Sequence, residues 1–281
     1  MTVVMATRDR RASVLRTLDR LAGLSSPPPP VIVVDNASRD GTPQAVRAAH
    51  PDVRVLALDV NRGAAARNAG AAAATTSLVA FCDDDSWWAP GALDRAAEHF
   101  ARHRRLGLLA ARILVGSDER LDPTCVTMAA GPWPPGAAGP AVVGFVACGA
   151  VLRREALLGV GGFDARFGIG GEEALLAMDL AAAGWQLAYV DDVVAHHHPA
   201  PSARHGRSRR MVRNDLWTSW LRRPPAVAAE ATLGALRAGD LAGVADAVRG
   251  LPWVVRERRR LPPAVEWHLR QVSAASARAT A

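Results

Sequence analysis

Short apolar runs alternate with segments of helical periodicity over the first 85 residues, and this alternation restricts the fold more than any other feature. Four runs predict buried strands: TVVMAT (2–7), VIVVD (31–35), VRVLALD (53–59) and SLVAFCDDD (77–85). The segments between them carry apolar residues at helical spacing, as in Val14, Leu18 and Leu21. The sequence therefore predicts an α/β fold with a mostly parallel, Rossmann-like central sheet covered by helices on both faces.

The rest of the chain predicts further helices and strands of this domain, followed by a C-terminal region of different composition. Helices are predicted over 90–103 and 172–183, and residues 185–198 read as a strand pair or as one long strand. From about residue 203, arginine-rich helical segments are separated by two proline pairs. We therefore expect an α/β domain over 1–203 and a basic C-terminal helical extension over 204–281.

The basic charge of the chain is concentrated in that extension. The formal net charge is +7, and many arginines lie after residue 203, whereas the acidic clusters lie earlier. This distribution suits a solvated tail or attraction to an anionic membrane, and we expect no nucleic-acid partner. Leu216, Trp217, Trp220 and Leu221 recur at helical spacing beside arginines. Two predictions stay open for this stripe: packing against the α/β domain, or peripheral contact with a membrane surface.

The cysteines and the N-terminal residues bear on the cellular compartment of the protein. Cys82, Cys125 and Cys148 form no CxxC pair, which is typical of a reducing environment. The chain starts directly with an apolar strand pattern rather than with the layout of a signal peptide. No uncharged apolar run reaches the roughly 18 residues expected of a transmembrane helix. We predict a cytoplasmic protein, with a peripheral position at the inner face of the plasma membrane as the alternative.

Three adjacent carboxylates, Asp83, Asp84 and Asp85, follow the fourth apolar run. Neighbouring carboxylates repel one another, and a hard divalent cation such as Mg²⁺ or Mn²⁺ relieves that repulsion. In an extended segment Asp83 and Asp85 point to the same side, so they are expected to share one ligand. The alternative is a cluster that caps the following helix.

Two more charged side chains are expected at the same edge of the sheet. Asp35 ends the second strand, and ligands of parallel sheets bind beyond the carboxyl ends of the strands. Its alternative role is to cap the turn NASRDGT. Arg67 lies near the start of the helix after the third strand, where it and the helix N-terminus suit an anion, unless it is a surface arginine.

Carboxylates and imidazoles also appear late in the α/β domain. Glu172 and Glu173 begin a helix after GIGG, where acidic residues favour the helix dipole or where one of them serves as a general base. His196, His197 and His198 end the last predicted strand, and a neutral imidazole there can join a metal held by carboxylates. Polar residues at a strand end are the alternative interpretation.

In this order, the segments resemble those of glycosyltransferase family 2, whose members are inverting enzymes with the GT-A fold. The resemblance covers roughly residues 2–200. Its matching segments are VVMATRDR, VIVVDNASRDGT, NRGAAARNAG, FCDDDSWW, GGFDARFG and GGEEALLAMDLAAAGW. It implies transfer of a sugar from a nucleotide-sugar donor, most simply a UDP- or dTDP-sugar, to the hydroxyl of a glycan, a lipid-linked acceptor or a small molecule.

The resemblance also assigns roles on the donor side. It implies that Thr7 and Asp35 hold the nucleoside and that Arg67 lies against the nucleotide. Asp83 and Asp85 match the family's D-x-D motif, in which the second carboxylate ligates Mn²⁺ or Mg²⁺ on the diphosphate and the first contacts the nucleotide. The residues implied to line the donor sugar are Asp84 and Gly149.

On the acceptor side, the resemblance places Glu173 at the position of the catalytic base, with Glu172 beside it. His197 aligns with a strand-end histidine that meets the metal, and His196 and His198 remain alternatives. The chain departs from the family pattern in having Glu at 173 rather than Asp, and Leu175 and Asp179 where the family often has Asp and Arg.

Two other functions compete with this prediction. A nucleotidyltransferase would share the α/β core and the metal carboxylates, but its first loop normally carries Gly and Lys or Arg, whereas this chain reads ATRDRRAS. A catalytically degenerate protein that binds nucleotide-sugars without turnover is the second alternative. One metal and one base fit a single displacement with inversion, for which no covalent nucleophile is needed.

Overall fold

The computed structural model describes residues 1–25, 27–199 and 207–280. Its strands are β1 (Thr2–Thr7), β2 (Val31–Asp35), β3 (Arg54–Ala57), β4 (Leu78–Asp83), β5 (Ser86–Trp88), β6 (Leu106–Val115), β7 (Arg120–Leu121), β8 (Ala150–Arg153) and β9 (Gln186–His197). Its helices are α1 (Arg11–Ala22), α2 (Thr42–Ala49), α3 (Ala66–Ala73), α4 (Ala92–Arg102), α5 (Pro123–Ala129), α6 (Arg154–Gly159), α7 (Glu172–Ala182), α8 (Arg207–Arg222), α9 (Pro225–Arg237), α10 (Leu241–Arg249), α11 (Leu251–Glu257) and α12 (Pro263–Thr280).

The strands form one sheet in the order β3-β2-β1-β4-β8-β6-β9-β5, with β7 paired to β6. The first four strands in this order are parallel, which confirms the prediction made from the alternating N-terminal segments. β8 runs antiparallel to both β4 and β6, and β5 runs antiparallel to β9, so the other half of the sheet is mixed. The 185–198 segment is one long strand rather than a pair.

Helices cover both faces of the sheet, and the sheet separates two apolar cores. One core gathers around Phe81 and Phe163, and the other around Met5 and the fully buried Trp88. The continuously apolar strands are explained by this arrangement, because successive side chains of a strand enter opposite cores.

The strand register brings the carboxylates to one edge of the sheet. Thr7 at the end of β1 lies opposite Asp35 of β2, and Ala6 lies opposite Asp83 of β4. Because these strands are parallel, their carboxyl ends share one edge, where ligands of such sheets bind.

The expectation that Asp83 and Asp85 share a strand face is wrong. β4 ends at Asp83, and Asp84 and Asp85 occupy a turn that leads into β5. The Asp83 amide donates a hydrogen bond to the Ser86 hydroxyl at 2.7 Å, and the Thr17 hydroxyl donates to the Asp84 carbonyl at 2.7 Å. These bonds close the turn, so Asp85 does not continue the strand and the alternation of faces ends at Asp83.

The C-terminal helices pack against the α/β part of the chain. Leu216, Trp217 and Leu221 of α8 are buried in one cluster with Phe167 and Leu175. The predicted packing therefore accounts for the apolar stripe of α8, and burial of Leu175 explains an apolar residue where the family often has Asp. No helix among the described residues has the length and apolar character required to cross a bilayer.

An ion pair links the two regions at the other departure from the family pattern. The Arg222 guanidinium of α8 donates two hydrogen bonds to the Asp179 carboxylate of α7, at 2.5 and 2.9 Å. At the position where the family often has Arg, this chain therefore has an acidic residue, Asp179, and the arginine that pairs with it comes from α8. The boundary near residue 203 stays a prediction.

Gly63 is a position where the backbone needs glycine. Its φ is +58°, and a Cβ built there would lie 2.5 Å from the carbonyl oxygen of Gly168. We expect Gly63→Ala to lower the free energy of unfolding by about 1–3 kcal/mol, measured by denaturant titration.

Gly116→Ala is the matched control for Gly63→Ala. Gly116 also has a positive φ, of +76°, but a Cβ there would meet nothing within 4 Å. A smaller loss for Gly116→Ala isolates the cost of the Gly168 contact, whereas equal losses in the two variants would contradict its importance.

Candidate active site

A cleft of about 1000 Å³ lies at the carboxyl edge of the parallel strands. Its floor is formed by the ends of β1 and β4, and its walls by residues 142–148 and 169–174. Of the site residues predicted from the sequence, those that line it are Thr7, Arg67, Asp83, Asp84, Asp85, Glu172, Glu173 and His197.

Each carboxylate of the acidic turn has its own partner. Asp83 pairs with the Arg67 guanidinium. Asp84 accepts a hydrogen bond from the Thr7 hydroxyl at 2.7 Å. Asp85 lies 3.5 Å from Nε2 of His197. The tight turn is therefore stabilised by contacts to β1, α3 and β9.

Arg10 is a functional candidate that the sequence reasoning missed. Its Nε donates to Asp84 at 3.1 Å, and its Nη2 donates to Asp85 at 3.1 Å. The guanidinium therefore relieves part of the carboxylate repulsion that the sequence analysis assigned to a metal. The signal that was available is its position directly after β1, at the same sheet edge as Asp35.

Metal-ligating atoms converge beside this turn. One ligand atom each of Asp83, Cys148 and His197 lies within 4.8 Å of the others. Carboxylate oxygen and imidazole nitrogen suit Mn²⁺ and Mg²⁺, with remaining positions filled by water and phosphate. Burial raises the pKa of the Cys148 thiol well above its usual value, and the charge of Asp83 adds to this effect. The sequence indicates only that Cys148 is a reduced thiol and gives no sign that it lies beside the potential metal ligands.

The three histidines at the end of β9 have different neighbours. His196 stacks on the Trp87 ring with centroids 5.3 Å apart, and His198 meets the same ring edge-on at 4.7 Å. His197 points to the opposite face and toward Asp85. Burial lowers the pKa of His197, but its hydrogen bond to Asp85 and the charge of that group outweigh burial and raise it. His197 is thus the histidine of the three that lines the cleft.

The two glutamates at the start of α7 differ in their surroundings. Glu172 is 3 % exposed and accepts a hydrogen bond from the Gly170 amide, so it stabilises the GIGG turn at the edge of the cleft. Glu173 lines the cleft, and burial together with the charge of Glu172 raises its pKa to about 7. A carboxylate with a pKa near neutrality suits a general base.

Residues of the C-terminal helices position this glutamate turn. Asn214 of α8 is fully buried, and its Nδ2 donates to the carbonyl oxygens of Phe167 at 3.0 Å and Gly170 at 2.5 Å. The segment that precedes Glu173 is therefore held by a helix outside the region of family resemblance, which the sequence did not indicate.

Two predicted residues lie away from the cleft surface. Asp35 is 2 % exposed and accepts from the Ser38 amide at 3.0 Å, the turn-capping role that was its alternative. Its other oxygen, Oδ1, is buried and has no hydrogen-bond partner among the described residues. Gly149 does not line the cleft. A Cβ at this position would lie 2.7 Å from Ile113 Cγ1, so glycine is needed here for packing against Ile113. Its neighbour Cys148 occupies the cleft wall.

Residues 2–159, more than half of the chain, match the model of the family described as glycosyl transferase family 2. The chain belongs to glycosyl transferase family 2. It is an enzyme that transfers glycosyl groups from a nucleotide-sugar donor.

Two of the proteins that this chain resembles in sequence are named glycosyltransferases of Mycobacterium tuberculosis. The chain is 29 % identical over 266 residues to N-acetylglucosaminyl-diphospho-decaprenol L-rhamnosyltransferase of Mycobacterium tuberculosis, spanning 79 % of this chain and 86 % of that protein. It is 34 % identical over 211 residues to the pre-mycofactocin glycosyltransferase of the same species, spanning 70 % of this chain and 43 % of that protein.

Solved structures share the GT-A fold of this family 2 enzyme. The mannosyltransferase PcManGT from Pyrobaculum calidifontis, solved with GDP-Man and Mn²⁺, has a TM-score of 0.61 at 22 % identity, covering 98 % of this chain and 85 % of that one. TarS 1–349 from S. aureus, solved with UDP-GlcNAc, has a TM-score of 0.63 at 16 % identity, covering 99 % and 88 %. These likenesses confirm the predicted fold class.

Proposed function

We propose that this enzyme transfers the sugar of a UDP- or dTDP-sugar to an acceptor hydroxyl by one displacement, with inversion at the anomeric carbon. The observation that carries the proposal is a shared cleft: the acidic turn, His197 beside Asp85, and the glutamate Glu173 line the same cavity. Direct displacement needs only a base for the acceptor hydroxyl and charge neutralisation of the leaving group, both of which this cleft can supply without a covalent nucleophile.

The residues present fit a divalent metal. Asp85 and His197 would hold it, since Oδ1 of Asp85 lies 3.5 Å from Nε2 of His197. Asp83 would be the next carboxylate, because its oxygen lies within 4.8 Å of the His197 nitrogen. A bound Mn²⁺ or Mg²⁺ would neutralise charge on the diphosphate that leaves the sugar. Arg10 already neutralises Asp84 and Asp85 in this structure, so it is well placed to contact that diphosphate once a metal takes over part of its role.

Three residues support binding of the nucleotide. Arg67 is buried, and its Nε has no hydrogen-bond partner among the described residues, which leaves a donor for a ligand. Asp35 lies behind the cleft surface, and its buried Oδ1 has no partner among the described residues, so a base N–H or ribose hydroxyl would satisfy it only if the cleft wall beside Asp35 opened. Thr7 aligns Asp84, which we assign to the donor sugar.

Glu173 is the proposed base for the acceptor. Its carboxylate removes the proton of the attacking hydroxyl, while Glu172 fixes the turn before it through Gly170. The relative from M. tuberculosis is named for a lipid-linked acceptor, N-acetylglucosaminyl-diphospho-decaprenol. We extend this class of acceptor to the present enzyme and propose that it works at the inner face of the membrane.

A thermal-shift panel tests the donor. UDP, dTDP, GDP and ADP, each with and without Mn²⁺, are compared for their effect on the melting temperature. We expect UDP or dTDP with Mn²⁺ to raise it most, because a ligand at about 100 times its Kd stabilises the folded state by about 2.7 kcal/mol. A larger shift with GDP or ADP would contradict the proposed donor.

Product analysis separates the competing functions. Release of nucleoside diphosphate together with an inverted glycoside supports the proposal. Release of pyrophosphate from a nucleoside triphosphate and a sugar phosphate would identify a nucleotidyltransferase. Nucleotide binding without turnover over a broad acceptor panel would identify a degenerate binding protein.

A further inference from the structure

A second cavity, of about 310 Å³, lies between α7, α12 and the loop that follows α5. We define it as the apolar cavity. Its walls are almost entirely hydrocarbon and small residues, including Ala177, Ala181, Trp185, Val265 and Leu269. Its volume is at the lower end of the range of small-molecule pockets, and such a composition suits an aliphatic ligand.

The apolar cavity adjoins the active-site cleft. Val142 and Val143 line both cavities, so one short segment borders both of them. An acceptor in the cleft is therefore next to an apolar site.

Two helices run from one cavity to the other. On α7, Glu173 lines the cleft while Ala177 and Ala181 line the apolar cavity, at i, i+4 and i+8. On α12, Val272 lines the cleft and Leu269 and Val265 line the apolar cavity. The rise of an α-helix places Ala181 about 12 Å from the proposed base, leaving room for a polar head group between them.

Two exposed tryptophans stand beside the apolar cavity. Trp133 is 66 % exposed and precedes Pro134 of its wall, and Trp267 is 63 % exposed and precedes His268 of its wall. Tryptophan is enriched where protein meets the interface of a lipid bilayer, because its ring is apolar and its N–H is polar.

The charge near the start of α12 favours an anionic membrane surface. Arg259 and Arg260 are exposed shortly before α12, at the end of that helix away from the cleft. Exposed arginines attract anionic membrane surfaces. This end of α12 therefore suits contact with a bilayer from which an aliphatic chain would enter the apolar cavity.

From these observations we infer that the apolar cavity binds the isoprenoid chain of a lipid-linked acceptor, with its phosphate toward the cleft and its sugar at Glu173. This inference rests on the proposed function, since it names the acceptor of the same site. It adds a specific binding site for the lipid, formed by α7 and α12 and separate from the nucleotide.

Binding of farnesyl phosphate, measured by calorimetry below its micelle concentration, tests the inference. We expect binding to the wild-type enzyme that inorganic phosphate neither matches nor displaces, and that persists when UDP and Mn²⁺ saturate the cleft. Ala181→Phe fills the apolar cavity and is expected to weaken this binding at least about 10-fold, equivalent to about 1.4 kcal/mol. Ala182→Phe, the same change at an exposed neighbour on α7, is expected to leave it unchanged.

The outcomes are separable. Equal affinity in Ala181→Phe and wild type, displacement by UDP, or no binding beyond that of inorganic phosphate would overturn the inference. If Ala181→Phe does not fold, Ala264→Phe fills the cavity from an exposed position on α12 and serves in its place. Nucleotide binding, measured in the same samples, reports on the proposed function independently, so either result can fail without the other.

Discussion

Replacement of Glu173 by Gln is expected to lower the rate of glycosyl transfer by a factor of about 100 to 10,000, the usual contribution of a general base. The amide keeps the size of the side chain but cannot accept the proton of the attacking hydroxyl. Nucleotide binding should be unchanged, because Thr7, Arg67 and Asp85 are untouched. The measurement is steady-state transfer together with UDP binding by calorimetry.

Two matched variants control for this loss. Glu173→Asp retains a carboxylate and should recover part of the activity, since Asp is the usual residue of the family at this position. Glu155→Gln changes an exposed glutamate of α6 and should have no effect. A Glu173→Gln enzyme with at least about a tenth of wild-type activity would remove Glu173 from the role of base.

The pH dependence of the wild-type enzyme follows from the same group. Burial and the charge of Glu172 raise the pKa of Glu173 to about 7, Asp83 acts in the same direction, and Arg67 opposes them. The base must be deprotonated, so transfer should increase as the pH rises through about 7 and fall about 10-fold per unit below it. This acidic limb should be absent from the residual activity of Glu173→Gln.

Asp85→Asn is expected to lower metal-dependent transfer about 1000-fold, which corresponds to about 4 kcal/mol of transition-state stabilisation. The amide occupies the same volume but carries no charge to hold Mn²⁺ beside His197. Direct binding of Mn²⁺, followed by its electron paramagnetic resonance signal, should weaken in parallel. Asp52→Asn, a change at an exposed carboxylate away from the cleft, is the control.

A variant with intact Mn²⁺ affinity and near-normal transfer would show that Asp85 does not hold the metal. Asp83 would then be the carboxylate to test, because its oxygen lies within 4.8 Å of ligand atoms of Cys148 and His197. Since Arg67 pairs with Asp83, that alternative would also require the ion pair to open.

The arrangement of the acidic turn shows why the site was only partly predictable. Three consecutive aspartates indicate negative charge and a site suited to a divalent metal. The expectation that alternate side chains share one face, however, holds only while the chain stays extended. Hydrogen bonds from Asp83 to Ser86 and from Thr17 to Asp84 bend the chain after β4. The partner Thr17 lies in α1, far away in the sequence, so no local pattern could have revealed the turn.

Asn214 and Arg222 illustrate a second limit. Both lie in the C-terminal helices, which the family resemblance does not cover, yet they hold the Gly170 turn and Asp179 of α7. A helical stripe such as Leu216, Trp217 and Leu221 predicts that one face is buried but not which surface buries it.

From the sequence alone came the alternating α/β order, the family, the cluster of three aspartates and the glutamate pair, because strand and helix periodicity and short motifs are local properties. The tertiary structure alone decided that His197 rather than its neighbours faces the cleft, that Glu172 caps a turn while Glu173 stays available, and that Arg10 and Cys148 join the site. Those outcomes depend on which distant side chains meet in space, and burial and charge at such meetings are set by packing rather than by neighbours along the chain.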